Sequence, residues 1–290
     1  MSWYTKYLEY FEKPYESVPK TTIEKVRKNF KRFETTEPPM ASIAIAARNE
    51  ELRLFSCLWS LSENVCKYPI EFIGVDNDST DRTAEIYETV GVKYYIEKQK
   101  SPGYARQCGL NHSQGKHFIC IDSDTLYPPH YIETMIEELE KPGIVGVSGM
   151  CNFIPGNHHS RLGLILYQLI RDLHKKILSF KRPELIVCAM FFAFRADYGK
   201  KIGFRVDLIR GGDDGAIVVG LKQYGKIKIL FNRKVRVMTA SNTLTNDGNL
   251  FNSFKVRLMK YMKWFRIYFT RKTYYKDVES NLIDSFKKKT

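Results

Sequence analysis

The pattern of hydrophobic positions changes abruptly near residue 41. Residues 1–40 are polar, aromatic and mixed in charge, and the stretch TTEPPM, which ends at Met40, is typical of a linker. The next apolar run, SIAIAA from Ser42, has the length and composition of a strand buried on both faces. We therefore predict an N-terminal helical or linker extension over 1–40 and a folded domain over 41–245.

Short apolar runs and helical patterns then alternate along the chain. Strands are predicted from Ile70, Val92 and His117. Helices are predicted over about 50–63, from after Ser79 to about Thr89, and over about 103–112 and 129–139. Such alternation predicts an α/β fold with a doubly wound, mostly parallel sheet. In open sheets of this type, ligands bind beyond the carboxyl ends of the strands.

The second half of the domain has a less regular pattern. Residues 160–179 are predicted to form an amphipathic helix, whose apolar side we assign to core packing. That side consists of Leu162, Ile165, Leu166, Leu169, Leu173 and Ile177. A strand is predicted over LIVCAMFFAF from Leu185, a helix from near Asp214, and strands at about 226–230 and 234–239.

The last residues have a basic amphipathic pattern. Between Phe251 and Phe269, large apolar residues recur at helical spacing, and Lys or Arg residues occupy the rest. We predict a basic amphipathic helical tail over 246–290. Such a helix can pack on the domain, lie in an anionic membrane interface or bind nucleic acid. Because Trp264 falls among the basic residues, we predict that Lys263 and Trp264 contact a sugar acceptor or lipid headgroups.

Composition narrows the class of protein. Apolar residues make up 43% of the 290 residues, enough for a large core, and the formal charge of +14 suits nucleic acid, an anionic membrane or a phosphate-rich ligand. The six cysteines are scattered without a C-x-x-C pair, which indicates a reducing compartment and no structural zinc. There is no signal-peptide pattern, and the apolar run LGLILYQLI is too short to span a bilayer. We expect a cytoplasmic protein, free or peripheral on the inner face of the cell membrane.

Polar clusters follow three of the predicted strands. They are AARNE at 46–50, VDNDSTD at 75–81 and DSD at 122–124. Because the carboxyl ends of parallel strands meet at one edge of a sheet, these clusters are expected to line one crevice. Residues 78–80 can alternatively cap the next helix, whereas Asp76 and Asn77 precede the cap and are harder to explain that way.

The pair Asp122 and Asp124 is the central feature of this crevice. Two carboxylates at the mouth of a buried strand repel one another unless a cation or a hydrogen-bond donor lies between them. Mg²⁺ binds through one or two carboxylates together with substrate phosphates, which suits so sparse a site. The alternative is a turn or helix cap, which Pro128 and Pro129 beyond would favour.

Two further segments carry charges suited to catalysis or phosphate binding. In RGGDDGAIV, residues 210–218, Asp213 and Asp214 fall at a predicted helix start. One of them suffices for capping, and the other can serve as a general base. In KSPGYARQCGL, residues 100–110, Arg106 lies near a helix start that can bind phosphate, or it is a surface charge.

The order of these motifs resembles the family-two glycosyltransferases with the GT-A fold, a Rossmann-like fold that binds nucleotide-diphospho-sugars. The resemblance covers about residues 41–240. It implies transfer of a sugar from a nucleotide-diphosphate donor with inversion at the anomeric carbon, assisted by a divalent metal, Mg²⁺ or Mn²⁺.

The resemblance also implies roles for individual residues. Ala46, Arg48 and Glu50 match positions that hold the nucleoside. Asp76 and Asn77 match the base-binding stretch, although many members have Asp where this chain has Asn77. Arg106 matches a residue near the phosphates. Asp122 and Asp124 match the motif that holds the ribose and the metal-bound diphosphate. Asp213 and Asp214 match the catalytic acidic pair, with Asp214 at the position of the base.

Two departures from the family pattern refine the expectation. Processive members carry Q-x-x-R-W late in the chain, where this sequence has KYMKW, residues 260–264. Lys263 supplies charge but not the bidentate fork of arginine, so we expect a non-processive enzyme. Some members use a late histidine as a third metal ligand, and the region from Val237 has none.

These observations predict a glycosyltransferase (EC 2.4) that acts on a glycan or glycolipid acceptor in cell-surface glycan or glycolipid synthesis, without a nucleic-acid partner. One alternative is a nucleotidyltransferase of nucleotide-sugar metabolism, but such enzymes carry a glycine-rich loop where this chain has ARNEELRLF. The other alternative is a basic polyanion-binding module, which would leave the polar clusters at the strand ends without a purpose.

Overall fold

The structure is a computed structural model, which describes residues 2–154, 161–206 and 213–240, and of residues 161–164, 181, 213 and 214 only the backbone. The strands in these ranges are β1 Ala41–Ala47, β2 Ile70–Asp76, β3 Tyr94–Ile96, β4 His117–Asp122, β5 Thr125–Leu126, β6 Ile144–Ser148, β7 Met150–Phe153, β8 Phe192–Arg195, β9 Lys226–Ile229 and β10 Arg236–Thr239. The α-helices are α1 Lys20–Lys31, α2 Leu54–Ser62, α3 Thr83–Val90, α4 Pro102–His112, α5 Tyr131–Leu139, α6 Arg161–Lys181, α7 Ala196–Ile202 and α8 Asp213–Leu221.

The main sheet has the strand order β3-β2-β1-β4-β8-β6-β9. β1 pairs in parallel with both β2 and β4, and β6 pairs in parallel with β9. β8 is antiparallel to its two neighbours, β4 and β6. The predicted α/β fold with a mostly parallel sheet is therefore confirmed, while the predicted tail over 246–290 lies outside the described residues.

The register of the central strands determines where the site can form. Ala46 on β1 lies opposite Val75 on β2 and Asp122 on β4, and Ala47 lies opposite Asp76. β1 and β4 are buried along most of their length, as their largely apolar composition requires. The carboxyl ends of β1, β2 and β4 therefore lie side by side at one edge of the sheet.

A small second sheet extends this edge. Its order is β5-β10-β7, with β10 antiparallel to β5 and parallel to β7. β5 begins one residue after Asp124, and Thr239 on β10 lies opposite both Thr125 and Phe153. This sheet links the acidic end of β4 to the segment that leads into α6.

Residues before 41 pack onto the domain. Tyr7, Phe11, Tyr15, Val26 and Phe30 are all buried in the same core cluster as β1 and α2. α1 lies against α2 and α3. The prediction of a helix in this region is consistent with α1, and its packing makes it part of the same hydrophobic core.

The strand predicted from Leu185 is wrong for its first seven residues, 185–191. Pro183–Leu185 and Ala189–Phe191 form short 3₁₀ turns, and the strand is limited to β8. Local backbone bonds explain this difference, because the N–H groups of Leu185, Ile186 and Phe191 donate to carbonyls three residues earlier, as in 3₁₀ turns and not in a strand ladder.

The assignment of the apolar side of α6 to the core is also wrong. Ile165, Leu166, Leu169, Leu173 and Ile177 are all exposed, whereas Tyr167 and Leu178 are buried. The side chain of Leu162 lies outside the described residues. Polar contacts explain the orientation of α6, because its other side forms a hydrogen bond with β7 and an ion pair with β10. Across the described ranges, no helix combines the length and hydrophobicity needed to cross a membrane.

Candidate active site

Two loops at the carboxyl edge of the sheet are joined by reciprocal hydrogen bonds. Asn49, in a left-handed conformation with φ 52°, accepts a bond from the Thr80 N–H (2.8 Å) through Oδ1. Its own N–H donates to Ser79 Oγ (3.0 Å), and the Glu50 N–H donates to Thr83 Oγ1 (2.9 Å). Ser79 and Thr80 thus join the loop after β2 to the loop after β1.

The carboxylate of Asp81 accepts hydrogen bonds at the first turn of α3. Its Oδ1 accepts hydrogen bonds from the N–H (3.0 Å) and Oγ1 (2.6 Å) of Thr83, and its Oδ2 accepts from the Glu51 N–H (3.1 Å). In the described hydrogen bonds, the side chains of residues 78–80 make no contact with this turn. The alternative capping role therefore falls to Asp81 rather than to residues 78–80.

Asp76 and Asn77 are buried at the end of β2. The Asn77 amide Nδ2 donates to the carbonyls of Glu97 and Gln99, each at 2.8 Å, and its backbone N–H donates to the Ala47 carbonyl (2.9 Å). Asn77 therefore holds the loop after β3 against the end of β1. Base binding by Asp76 and Asn77 stays a prediction.

Asp122 is positioned by contacts with its backbone and its carboxylate. Its N–H donates to Tyr127 Oη (3.1 Å), whose hydroxyl donates to the Met190 carbonyl (2.7 Å). Arg106 on α4 forms an ion pair with Asp122, with Nη2 3.2 Å from Oδ1. Tyr127 thus orients the end of β4, and Arg106 places a guanidinium beside the Asp122 carboxylate.

The surroundings of Asp124 and Glu50 disfavour the charged forms of these two carboxyl groups. Burial, and secondarily the charge of Asp122, raises the pKa of Asp124 to about 6, although Thr125 Oγ1 donates to its Oδ1 (3.0 Å). Burial and then the charge of Asp124 raise the pKa of Glu50 to about 7, against the opposing effect of Arg53, whose Nη1 lies 3.1 Å from Glu50 Oε2. The three carboxylates of Glu50, Asp122 and Asp124 therefore act on one another electrostatically.

The side chains that could hold a hard cation are Asp122 and Asp124. A cation between them would offset the repulsion that raises the pKa of Asp124. Among the described residues, no group of three or more His, Cys, Asp and Glu side chains could enclose a metal ion. The donor set present therefore fits an ion that takes its other ligands from a bound phosphate and from water, as Mg²⁺ commonly does.

The remaining predicted donor contacts surround this acidic centre. Ala46 lies on β1 beside Asp122, and Arg48 is half-buried just beyond it, without an ion pair or hydrogen bond from its side chain to any described residue. The start of α4 is capped by Ser101 Oγ, which accepts from the Tyr104 N–H (3.2 Å). The site thus has basic side chains on two elements next to its carboxylates.

Two parts of the predicted site are not described at side-chain level. Asp213 and Asp214 form the start of α8, where the sequence predicted a helix. Their side chains, together with Lys263 and Trp264 of the tail, lie outside what the structure describes. The roles of these four residues stay predictions.

Sequence reasoning missed Arg53 and Tyr127 as parts of the site. Arg53 follows Glu50 by three residues, a spacing at which opposite charges meet on a helical turn. Tyr127 follows Asp124 by three residues, but its bond to the carbonyl of Met190, 63 residues away, leaves no signal in the local sequence.

The family comparison gives one match over most of the domain. The sequence model of the family described as "Glycosyl transferase family 2" matches residues 42–203, more than half of the chain. The matched range contains β1 to β8 and the carboxylates of Glu50, Asp122 and Asp124. This match favours the transferase class over the nucleotidyltransferase and the polyanion-binding module.

Two curated proteins resemble parts of the chain. One is "4,4'-diaponeurosporenoate glycosyltransferase" of Staphylococcus haemolyticus, 37% identical over 112 residues, which cover 36% of this chain and 29% of that protein. The other is "Dolichyl N-acetyl-alpha-D-glucosaminyl phosphate 3-beta-D-2,3-diacetamido-2,3-dideoxy-beta-D-glucuronosyltransferase" of Methanococcus voltae, 25% identical over 140 residues, 43% of each chain. The aligned part of the chain spans less than half the length of either relative.

A solved structure shares the fold. It is described as "Mannosyltransferase PcManGT from Pyrobaculum calidifontis in complex with GDP-Man and Mn2+". The likeness has a TM-score of 0.57 at 17% identity and covers 76% of this chain and 65% of that chain. At this identity the comparison shows the fold alone, and it confirms the expected GT-A architecture.

Proposed function

The chain belongs to glycosyl transferase family 2, and on that premise we propose that it transfers a sugar from a nucleotide-diphosphate donor to an acceptor hydroxyl. The observation that carries the proposal is the gathering of Glu50, Asp122 and Asp124 at the carboxyl edge of β1 and β4, with raised pKa values for Glu50 and Asp124. Such an edge is where open α/β sheets bind nucleotides.

The donor would lie along this edge. The structural neighbour bound to GDP-Man and Mn²⁺ supports a nucleotide-sugar donor and a divalent ion for this chain as well. Asp122 and Asp124 would hold the ion, and Arg106 would keep the Asp122 carboxylate in place while reaching toward the phosphates. When bound, the ion would neutralise charge on the departing diphosphate.

The transfer is proposed to be a direct inverting displacement. The Asp214 carboxylate accepts the proton of the acceptor hydroxyl, and that oxygen attacks the anomeric carbon from the face opposite the diphosphate. The bond from carbon to the diphosphate oxygen breaks, and the electron pair leaves with the diphosphate. General-base assistance of this kind contributes roughly 10²–10⁴-fold to turnover.

The acceptor is proposed to be a glycan or glycolipid, modified non-processively in cell-surface glycan or glycolipid synthesis at the cytoplasmic side of the membrane. The names of the two curated relatives support a lipid acceptor, because one contains 4,4'-diaponeurosporenoate and the other contains dolichyl N-acetyl-alpha-D-glucosaminyl phosphate.

Thermal unfolding with and without ligands tests the proposal. Nucleotide diphosphates and nucleotide sugars, each with Mn²⁺ or with EDTA, are screened for a rise in Tm, because a ligand at 100 times its Kd stabilises by about 2.7 kcal/mol. Asp122→Asn should lose the Mn²⁺-dependent rise, whereas Asp214→Asn should keep it and lose turnover. The proposal fails if the wild-type protein responds to none of these ligands, or if Asp214→Asn retains near-normal turnover with a donor that binds.

A further inference from the structure

The outward side of α6 carries a row of exposed apolar side chains. It consists of Ile165, Leu166, Leu169, Ile170, Leu173 and Ile177, with Phe180 at its end. Leu169 and Leu173 are each 63% exposed, and Phe180 is 81% exposed. Single exposed apolar residues are common on proteins, but a contiguous row along one helix marks an interaction surface.

Polar contacts hold this surface outward. Arg171, on the opposite side of α6, donates to the Cys151 carbonyl of β7, and Asp172 forms an ion pair with Arg236 of β10. The Tyr167 ring packs on Phe153, with centroids 6.2 Å apart. Rotating α6 to bury its leucines would break these contacts and expose Tyr167, so the orientation follows from the polar anchors.

The charge on α6 identifies the partner. Its second half reads HKKILSFK, residues 174–181, with three lysines, one histidine and no acid. Lys176 is exposed among the apolar residues, whereas Lys175 lies over the ring of buried Phe191 at 5.5 Å. Apolar side chains interleaved with cations suit a lipid interface that offers both acyl chains and anionic headgroups.

The position of α6 relates this surface to the acidic site. α6 is bonded to β7, and β7 is separated from β5 only by β10 in the small sheet. Two strand spacings amount to about 10 Å. Since β5 begins directly after Asp124, the strand that anchors α6 lies about 10 Å from the candidate active site, and a lipid surface on the outward side of α6 would lie one helix diameter, about 10–12 Å, beyond it.

We propose that α6 is an interfacial helix that docks this chain on an anionic membrane, with its apolar side among the acyl chains. Docking itself does not depend on the proposed transferase activity. Its consequence, that the acceptor hydroxyl belongs to a lipid-linked molecule presented at the membrane surface, rests on the proposed function.

Vesicle sedimentation of the full chain tests the docking. The vesicles contain either phosphatidylcholine alone or equal parts of phosphatidylcholine and phosphatidylglycerol. The double variant Leu169→Asp/Leu173→Asp alters only exposed positions, so the fold should persist. A matched control is Val65→Asp/Ile96→Asp, since Val65 and Ile96 are also exposed apolar residues but lie outside α6.

The wild-type chain and the control should sediment with the anionic vesicles, and the α6 variant should lose about tenfold or more in partitioning. An unchanged Tm for the α6 variant, and the same donor-induced rise in Tm as wild type, would show that fold and active site are intact. Absence of that rise in the wild-type chain would contradict the proposed function and not the docking.

Three results would overturn the proposal. The first is absence of wild-type binding to the anionic vesicles. The second is equal binding of the α6 variant and the wild type. The third is binding that appears only after residues 250–290 are removed, which would show that the tail, and not lipid, covers α6 in the full chain.

Discussion

Replacing Glu50 by Gln should stabilise the folded protein at pH 8. Burial and the charge of Asp124 raise the pKa of Glu50 from 4.5 to about 7, so the folded state favours the protonated carboxyl. The stability associated with this proton is fully present below pH 4.5 and is lost as the pH rises through 7. At pH 8 the wild-type protein therefore holds a carboxylate in surroundings that disfavour its charge.

The size of the effect follows from that difference in pKa. Each tenfold change in the acid dissociation constant corresponds to about 1.4 kcal/mol, so ionised Glu50 lowers the free energy of unfolding by about 3 kcal/mol. Gln removes this penalty, and the ion pair with Arg53 needs no separate correction because its opposing effect is already included in the pKa of about 7. We expect Glu50→Gln to gain about 3 kcal/mol at pH 8 and to differ little from wild type near pH 4.5.

Urea unfolding between pH 4.5 and pH 8, without divalent ions, measures this difference. Glu63→Gln is a control of opposite sign. Although burial opposes it, hydrogen bonds from Lys6, Tyr7 and Trp59 lower the pKa of Glu63 to about 2. The stability that Glu63 contributes is present above pH 4.5 and is lost as the pH falls toward 2, so this variant should be less stable than wild type at pH 8.

If Glu50→Gln is no more stable than wild type at pH 8, its surroundings do not destabilise the ionised Glu50 carboxylate. A gain of the same size at pH 4.5 and pH 8 would come from packing and not from ionisation. Adding Mn²⁺ should narrow the gap at pH 8, because a cation near Asp124 favours ionised Glu50.

Three further substitutions test the loops and strands that form the site. Asn77→Ala leaves two carbonyls of the loop at 97–99 without their donors and should lower the free energy of unfolding by about 1–3 kcal/mol in urea titrations. Tyr127→Phe should lower the free energy of unfolding by a similar amount, because it removes the hydroxyl that bonds Asp122 and Met190. Tyr131→Phe is the control and should be nearly neutral, because the buried Tyr131 hydroxyl has no hydrogen-bond partner among the described residues. Equal losses of stability in the two variants would contradict the assigned role of Tyr127. Gly103→Ala would bring a Cβ to 2.5 Å from the Arg205 carbonyl and should lower Tm and the unfolding free energy by about 1–3 kcal/mol, and an unchanged Tm would show that this approach is not tight.

Local hydrophobic patterns in the sequence were sufficient to predict most strands of the main sheet. The predicted runs at 42, 70 and 117 correspond to β1, β2 and β4, because each is a short apolar segment bounded by polar turns. The same patterns placed Asp122 and Asp124 at a strand end, where parallel strands bring polar residues together. They did not reveal β5, since a strand of two residues has no periodicity to read.

The sequence by itself determined which residues share a strand end and which share a side of a helix, because both follow from the backbone geometry of the segment. Tertiary structure decided which side is buried. In α6 the periodicity correctly groups the leucines, yet the side bonded to the protein is the one with Arg171 and Asp172, since Asp172 meets Arg236, 64 residues further along the chain. Periodicity describes a helix alone, whereas its orientation depends on partners that only the folded chain brings into contact.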